Sequence, residues 1–183
     1  MVVHHPEVFS CDSTINLKQI VSNVLKSMKS PRSQLSKSAI MCMSDIIHTL
    51  GDQVIDLLDV EGLKRPGESI LYQLLLKASA NDKKFVVDEA KAALVEVATS
   101  LGIGPVALLL MPYVKEHKNP KIRGHAASTL ALAVEHAHNV GDVITLLNEN
   151  GLVQLSASLL TDKSTEAREA ARIILREIKV SER

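Results

Sequence analysis

The sequence contains no tryptophan, and its only aromatic residues are Phe9, Tyr72, Phe85 and Tyr113. A surface that binds single-stranded nucleic acid usually needs several exposed aromatic rings on which bases stack. Nucleic-acid-binding proteins also tend to carry an excess of positive charge, whereas 21 basic and 21 acidic residues here give a net charge of zero. Both absences argue against nucleic acid as a partner, and we expect a core of aliphatic side chains.

Long apolar runs and cysteine-rich patterns are also absent. No segment reaches the roughly 18 uninterrupted apolar residues of a membrane-spanning helix. The N-terminal stretch has neither the apolar region nor the basic flank of a secretory signal, so we expect no membrane association. Cys11 and Cys42 fit no metal spacing, which favours reduced thiols in a cytosolic compartment. A disulfide between them is the alternative.

The seven histidines form no metal-binding or acid–base motif. His136 and His138 point to different faces of a helix, and His125 lies about 16 Å from His136 at the rise of a helix. Neither pair has a third ligand at zinc spacing. "GIGP" (102–105) lacks the third glycine and the preceding strand of a dinucleotide-binding loop, and no nucleophile motif occurs. The sequence therefore predicts a non-catalytic protein without a metal or cofactor.

Apolar residues at helical spacing are present along almost the whole chain. A glycine follows the second stripe at Gly51, in the position typical of a helix C-terminus. Gly102, Gly104 and Pro105 are predicted to separate two helices. The stripes and the turn signals together predict helices over residues 15–28, 35–50, 52–59, 68–79, 85–100, 105–116, 121–138, 142–160 and 165–180.

A repeat emerges when the second helices of successive hairpins are aligned. Each contains an apolar residue followed four positions later by alanine, and these motifs lie 36 to 51 residues apart, at 35–39, 86–90, 122–126 and 167–171. Tandem helical hairpins of roughly this length are typical of HEAT and armadillo repeats, which bury their apolar faces against each other. The predicted fold is all-α, an α-solenoid of about four HEAT-like helical hairpins.

The predicted solenoid domain covers residues 14–183 and follows an N-terminal extension over 1–13. The extension contains the apolar stretch "VVHHPEVF". This stretch either caps the first hairpin or docks on a partner, and the sequence leaves both alternatives open.

The charged residues are distributed unevenly along this repeat. Lysine and arginine are absent from 38–63, 92–114 and 124–162 and collect at the turns within hairpins. Because such turns line one rim of a solenoid, we expect a basic rim that orients an acidic partner. The opposite rim is predicted to be acidic, with Asp45, Asp52, Asp56, Asp59, Glu61, Glu96, Glu135, Asp142 and Glu149.

Two interpretations of the basic residues stay open. They form a binding surface, or they are solvated residues with local structural roles. Lys29, Lys115 and Lys118 fall where cations complement a helix dipole, and Arg123 and Arg168 fall where HEAT repeats often carry an arginine for packing or internal pairing. Arg32, Lys83, Lys84, Lys121 and Lys163 are harder to explain as helix caps, which favours the binding surface.

Two segments resemble TOG domains of the CLASP and crescerin kind. "RSQLSKSAIMCMSDI" (32–46) is similar to their second HEAT repeat, and "LLLKASANDKKFVVDEAKAAL" (74–94) is similar to the repeat that follows. "KNPKIRGHAA" and "STEAREAAR" match the general HEAT consensus, so that the resemblance covers roughly 14–183. It implies a microtubule-associated module of the cytoplasm and cytoskeleton, with the cilium or flagellar axoneme as a further location.

TOG domains of this family bind tubulin, whose surface is strongly acidic, through the within-hairpin turns. The partner implied here is therefore tubulin or the microtubule lattice. The residues implied to contact it are Arg32, Lys83, Lys84, Lys118, Lys121, Arg123 and Lys163.

The chain departs from the TOG pattern in two respects. TOG domains usually place a tryptophan in the turn of their first repeat as an apolar anchor on tubulin, and this chain has none. They also typically contain six HEAT repeats, whereas about four hairpins are predicted here, with the first repeat missing. Both departures favour the alternative function, a HEAT or armadillo scaffold that binds an acidic protein segment without contacting tubulin.

Overall fold

The computed structural model describes residues 13–59, 68–137 and 151–181, and every regular element within these ranges is helical. This confirms the predicted all-α fold. In chain order the helices are α1 Ser13–Met28, α2 Ser33–Leu50, a 3-10 helix Gly51–Val54, α3 Ile55–Leu58, α4 Ile70–Ser79, α5 Lys84–Ser100, α6 Ile103–Glu116, α7 Pro120–Glu135, α8 Leu152–Leu159 and α9 Thr165–Ser181.

The helices pair into hairpins that stack side by side. α1 packs on α2, α4 on α5, α6 on α7 and α8 on α9, while the second helices α2, α5, α7 and α9 each contact the next in the row. Near the beginnings of α2 and α5, Lys37 Nζ lies 3.6 Å from Glu89 Oε2. Near their ends, His48 Nδ1 lies 2.8 Å from Glu96 Oε1. The two helices therefore run parallel, as expected for successive repeats of an α-solenoid.

The core is aliphatic, as the shortage of aromatic residues predicts. The repeated alanines of the second helices, Ala39, Ala90, Ala126 and Ala171, are all buried, which allows close approach of neighbouring helices. The apolar residues four positions earlier are buried at Val86, Ile122 and Ala167, but Leu35 is 45% exposed. Leu35 differs because no hairpin of the described chain stacks on the outer side of α1 and α2.

Several helix boundaries differ from the sequence prediction. Helix α6 begins at Ile103, two residues before its predicted start at Pro105, so Gly104 also lies inside the first turn. Proline is tolerated there because the first N–H groups of a helix have no partner within the helix. The helix predicted over 52–59 is instead a 3-10 turn followed by one α-helical turn. Helix α7 ends at Glu135, and residues 138–150 lie outside the described ranges.

Gly51 ends α2 as predicted. Its φ of 53° lies in the left-handed region that favours glycine, and its N–H donates to the carbonyl oxygen of Ile47. This turn redirects the chain at the end of the hairpin opposite the 29–32 turn, and residues 51–58 then pack against α2 and α4.

Candidate protein-interaction site

The four within-hairpin turns, residues 29–32, 80–83, 117–119 and 160–164, form one edge of the solenoid, which we call the turn rim. Side-chain contacts join the later turns directly. Lys121 Nζ donates to Asn81 Oδ1 at 3.4 Å, and Arg123 pairs with Asp162. The parallel packing of α2 and α5 places the first turn beside the second. The rim therefore brings together residues that lie more than 130 positions apart in the sequence.

Arg32 lies in the first turn, at the N-cap of α2, and its side chain is exposed. The residue is extended, with φ −79° and ψ 104°, and its side chain makes no capping hydrogen bond. Its backbone N–H donates to Ser30 Oγ at 3.2 Å. Deeper in the turn, the buried Ser36 Oγ donates to the carbonyl oxygen of Met28 at 2.9 Å. These two hydrogen bonds fix the backbone of the turn, while the Arg32 side chain projects into solvent.

Lys83 and Lys84 lie where the second turn enters α5, and both are exposed. Asp82 fixes the backbone here, because its Oδ1 accepts a hydrogen bond from the N–H of Lys83 at 2.7 Å. Its Oδ2 lies 3.8 Å from Lys77 Nζ. The acidic residue of this turn is therefore directed at the backbone and at a lysine of α4, which leaves the two adjacent lysine side chains at the surface.

Lys118 and Lys121 lie in and just after the third turn, and both side chains are exposed. Asn119 caps α7: its Oδ1 accepts a hydrogen bond from the N–H of Lys121 at 3.0 Å, and Pro120 occupies the first helical position. This is a standard N-terminal arrangement, since asparagine satisfies a free N–H and proline lacks one. It fixes the direction in which the lysines leave the backbone.

Arg123 differs from the other predicted contact residues because its guanidinium is bound inside the protein. Nε donates to Asp162 Oδ2 at 2.8 Å and Nη2 to Asp162 Oδ1 at 3.0 Å. Nη1 donates to the carbonyl oxygens of His117 and Lys118 at 2.8 and 3.2 Å. Only 16% of the side chain is exposed. Of the two interpretations that the sequence left open for Arg123, the geometry favours internal pairing.

The fourth turn is organised by Asp162. Its Oδ1 also accepts a hydrogen bond from the N–H of Ser164 at 2.7 Å, and its backbone carbonyl accepts one from Arg168 Nη1 at 2.7 Å. Burial raises the pKa of Asp162, but the hydrogen bonds from Arg123 and Ser164 and the charges of Arg123 and Arg168 lower it by more. Asp162 is therefore ionised at neutral pH. Lys163, next to it, is exposed.

Gly124 allows this turn to approach α7 closely. A Cβ atom at this position would overlap Ser164 Oγ and lie 3.2 Å from Glu166 Cβ. Ser164 Oγ itself donates to Glu166 Oε2 at 2.6 Å, and this bond lowers the pKa of Glu166. Sequence reasoning missed Asp162, Ser164 and Gly124. A glycine near the beginning of a predicted helix was the one available signal of a close approach.

The opposite rim carries acidic side chains, and several of them are acceptors within the fold. Asp52 accepts from the N–H of Gly102 at 2.8 Å, Asp59 from the Tyr113 hydroxyl at 2.9 Å and Glu135 from Arg176 at 2.7 Å. Arg176 shows that cations are not confined to the turn rim. The predicted acidic residues Glu61, Asp142 and Glu149 lie outside the described ranges.

A shallow groove of about 280 Å³ lies between the second helices α5 and α7. Its walls are mostly apolar, with Lys91 and His125 at its edge. Burial lowers the pKa of His125, and the charge of Lys91 lowers it further, which favours neutral imidazole at physiological pH. The lining residues are Lys91, Leu94, Val95, His125, Ser128, Thr129 and Leu132.

Neither a metal-binding cluster nor a membrane-spanning helix occurs among the described residues. No cluster of three or more His, Cys, Asp or Glu side chains there has a geometry that could hold a metal ion. None of the helices in these ranges combines the length and hydropathy needed to cross a bilayer.

Two comparisons with known proteins bear on this arrangement. The sequence model of the family described as CLASP N terminal matches residues 4–179. A search of curated proteins finds no match. The family match covers nearly the whole chain, including the first three hairpins, all but the last two residues of the fourth, and every residue of the turn rim.

Proposed function

The chain belongs to the CLASP N-terminal family, and from that premise we propose that it is a non-catalytic microtubule-associated module that contacts tubulin or the microtubule lattice through its turn rim. The family consists of TOG-like HEAT-repeat domains and is associated with the cytoskeleton. The family's association with the cytoskeleton supports a location there, and we propose the cytoplasm and the cilium as the places of action.

The observation that carries the proposal is a set of exposed cations along one edge. Six of the seven residues implied by the TOG resemblance have exposed side chains: Arg32, Lys83, Lys84, Lys118, Lys121 and Lys163. They belong to four successive turns, so their charges add over the length of the solenoid. An extended basic edge steers an acidic partner and sets its orientation more than it adds to final affinity. The acidic surface of tubulin fits this requirement.

The rim has little apolar surface to add to the charge. Leu35, just inside α2, and Leu160, in the fourth turn, are the exposed large aliphatic side chains close to it, at 45% and 40% exposure. Leucine is seldom an interface hot spot, whereas tryptophan often is. Without a tryptophan anchor, we expect binding that depends strongly on charge and therefore on salt, because ions screen exposed charges within about 10 Å at 0.1 M.

The test is binding of the purified chain to tubulin dimers and to stabilised microtubules, at low and at moderate salt. The comparison protein carries Lys83, Lys84, Lys118 and Lys121 changed to Glu, with circular dichroism to confirm that it is folded. We expect salt-sensitive binding of the intact chain and a loss of at least about 100-fold in the variant, since like charges across an interface are strongly unfavourable. Absence of binding to either form of tubulin would rule out the proposal.

A second candidate function is a scaffold that binds an acidic protein segment without contacting tubulin. The groove between α5 and α7 favours it, because Val95 is 49% exposed beside buried Leu94, and Lys91 supplies a positive charge at the edge. Apolar pockets with a few polar groups are the usual form of small binding sites. An extended peptide with one apolar and one acidic side chain fits this combination.

One substitution distinguishes the turn rim from the groove as the surface that contacts tubulin. Val95→Glu places a negative charge in the groove at a solvent-exposed position, so we expect an unchanged fold. If the turn rim binds tubulin, Val95→Glu should bind microtubules as well as the intact chain does, within about two-fold. The reason is that salt screens the new charge from the turn rim when the two are farther apart than the Debye length. If Val95→Glu loses microtubule binding and the four-lysine variant keeps it, the groove rather than the turn rim contacts tubulin.

A further inference from the structure

We propose that Asp162 is a positioning residue of the turn rim, and that removing its negative charge weakens the binding of an acidic partner. This inference rests on the proposed function. It is opposite to what net charge alone predicts, because neutralising an acidic residue makes a basic edge more basic.

The physical basis is the fork of hydrogen bonds between Asp162 and Arg123. The pair is bidentate, with distances of 2.8 and 3.0 Å, and the two side chains are only 12% and 16% exposed. Bidentate arginine–carboxylate pairs combine strength with a fixed mutual orientation. The pair also lies out of bulk water, which protects it from screening by salt.

Each partner of the pair holds a different turn. Arg123 binds the carbonyl oxygens of His117 and Lys118 in the third turn. Asp162 binds the N–H of Ser164 and, through its carbonyl oxygen, Arg168 in the fourth turn. The fork therefore connects the backbones of two turns that are about 40 residues apart in sequence.

The exposed lysines project from these connected backbones. Lys118 provides one of the carbonyls that Arg123 binds, and Lys163 directly follows Asp162. Lys121 extends the connection to the second turn through its 3.4 Å contact with Asn81. A rigid presentation lowers the entropy lost when charged side chains are ordered against a partner. Loss of the fork would let the third and fourth turns move independently and raise that cost.

The decisive comparison is between two neutralisations at the same rim. Asp162→Asn removes the fork, and Glu116→Gln is its matched control, since Glu116 is an exposed residue just before the third turn and takes no part in this network. Both variants raise the net charge by one. We expect microtubule affinity to fall about ten-fold in Asp162→Asn, from the ordering cost of the released side chains, and to stay within about two-fold in Glu116→Gln. Equal or tighter binding of Asp162→Asn would overturn the inference.

Hydrogen exchange provides a readout that does not depend on tubulin. In Asp162→Asn we expect faster amide exchange at residues 117–121 as well as at 162–164, because the third turn loses its connection to the fourth. Faster exchange at residues 162–164 alone would contradict the proposed coupling between the third and fourth turns. If the intact chain binds no tubulin, the proposed function fails while this measurement still decides whether the fork couples the turns.

A double-mutant cycle distinguishes positioning from general loss of stability. Arg123→Gln, Asp162→Asn and the double variant are compared for affinity and for thermal stability. We expect the double variant to bind about as weakly as either single variant, because the effects of residues that act as one unit are not additive.

If Asp162→Asn is not folded, Asp162→Glu retains the charge but shifts the carboxylate, and we expect it to lose affinity as well. Full affinity in a folded Asp162→Glu would count against the need for this geometry.

Discussion

The two rims of the solenoid use their charged residues in different ways. On the far rim, Asp52, Asp59 and Glu96 accept hydrogen bonds that connect one repeat to the next. On the turn rim, the fork between Arg123 and Asp162 does the same, but six cations around it remain exposed. These three carboxylates thus contribute to packing between repeats, whereas the turn rim carries charge beyond what packing requires.

This difference gives a criterion for separating structural from functional charge in a repeat protein. An acidic side chain that accepts a hydrogen bond from a neighbouring repeat has a role in the fold, whether it is half-buried, as Asp59 and Glu96 are, or exposed, as Asp52 is. A row of exposed lysines on successive turns is not explained by the fold, because surface cations contribute little to stability. Substitutions on the far rim should therefore change stability, and substitutions of the exposed turn-rim lysines should change binding.

The largest effect on stability is expected from Gly124→Ala, because Gly124 is the buried residue against which the fourth turn packs. The new Cβ would overlap Ser164 Oγ, and overpacking of a buried site costs about 1–3 kcal/mol. The free energy of unfolding should fall by that amount, and microtubule affinity should fall with it, because the fourth turn is displaced. Denaturant unfolding and co-sedimentation would measure both.

Gly104→Ala is the matched control for this glycine. A Cβ atom at Gly104 meets no atom within 4 Å, and alanine is favoured over glycine in a helix by about 0.5–1 kcal/mol. We expect unchanged or slightly higher stability. An equal loss in both variants would show that the close approach at Gly124 has no special importance.

A smaller effect, confined to stability, is expected from Tyr113→Phe, near the end of α6. The Tyr113 hydroxyl donates to Asp59 Oδ2 and lies 3.3 Å from Ser69 Oγ. The other oxygen of Asp59 is buried and has no hydrogen-bond partner among the described residues. Losing the hydroxyl should reduce the free energy of unfolding by about 1–2 kcal/mol, the cost of an unsatisfied buried polar group. Microtubule binding should not change.

Tyr72→Phe is the control for this tyrosine. The Tyr72 ring stacks on Tyr113 with centroids 6.1 Å apart, so the substitution keeps the packing and removes a hydroxyl that has no recorded hydrogen bond within the described residues. We expect a change in stability below about 0.5 kcal/mol. A loss as large as that of Tyr113→Phe would assign the effect to the aromatic pair rather than to Asp59.

The smallest effect concerns the pH dependence of the far rim. Hydrogen bonds from Ser100 and His48 lower the pKa of Glu96 below its ordinary 4.5, against a smaller opposing effect of burial. A lowered folded-state pKa means that the stabilisation is present above about pH 4.5 and is lost as the pH falls through the folded-state value. Glu96→Gln should therefore be less stable than the intact chain at pH 7, by up to about 1 kcal/mol.

Thermal melts at pH 7 and at pH 3 would test this prediction. The difference between the intact chain and Glu96→Gln should shrink as the pH is lowered, since Glu96 becomes protonated. A difference that stays constant with pH would contradict an electrostatic role for Glu96.

Most of the fold could be predicted from the sequence. The 3.6-residue spacing of apolar residues identified the helices, and the recurring alanine identified the second helix of each hairpin, because neighbouring helices need a small residue there. The break between two helices at residues 101–102 was predicted correctly, but the following helix begins at Ile103 rather than at Pro105, since proline and glycine are compatible with the first turn of a helix. Periodicity does not distinguish that position from a loop.

The candidate site was less predictable than the fold. The sequence located the lysines at the turns, because turn position follows from the helix pattern. It left two interpretations open for Arg123, and it did not identify Asp162, because their pairing joins residues 39 positions apart. Such a contact depends on how one hairpin stacks on the next, and no local pattern records that geometry.

The most direct test of the account compares two triple charge reversals of equal size. One changes the turn-rim residues Lys83, Lys118 and Lys121 to Glu, and the other changes Lys18, Arg172 and Lys179, which are exposed and lie away from the turn rim. Both lower the net charge by the same amount, and microtubule binding of each is measured at two salt concentrations. The account predicts that only the turn-rim variant loses binding and its salt dependence. Equal loss in both variants would show that net charge, rather than the turn rim, determines binding.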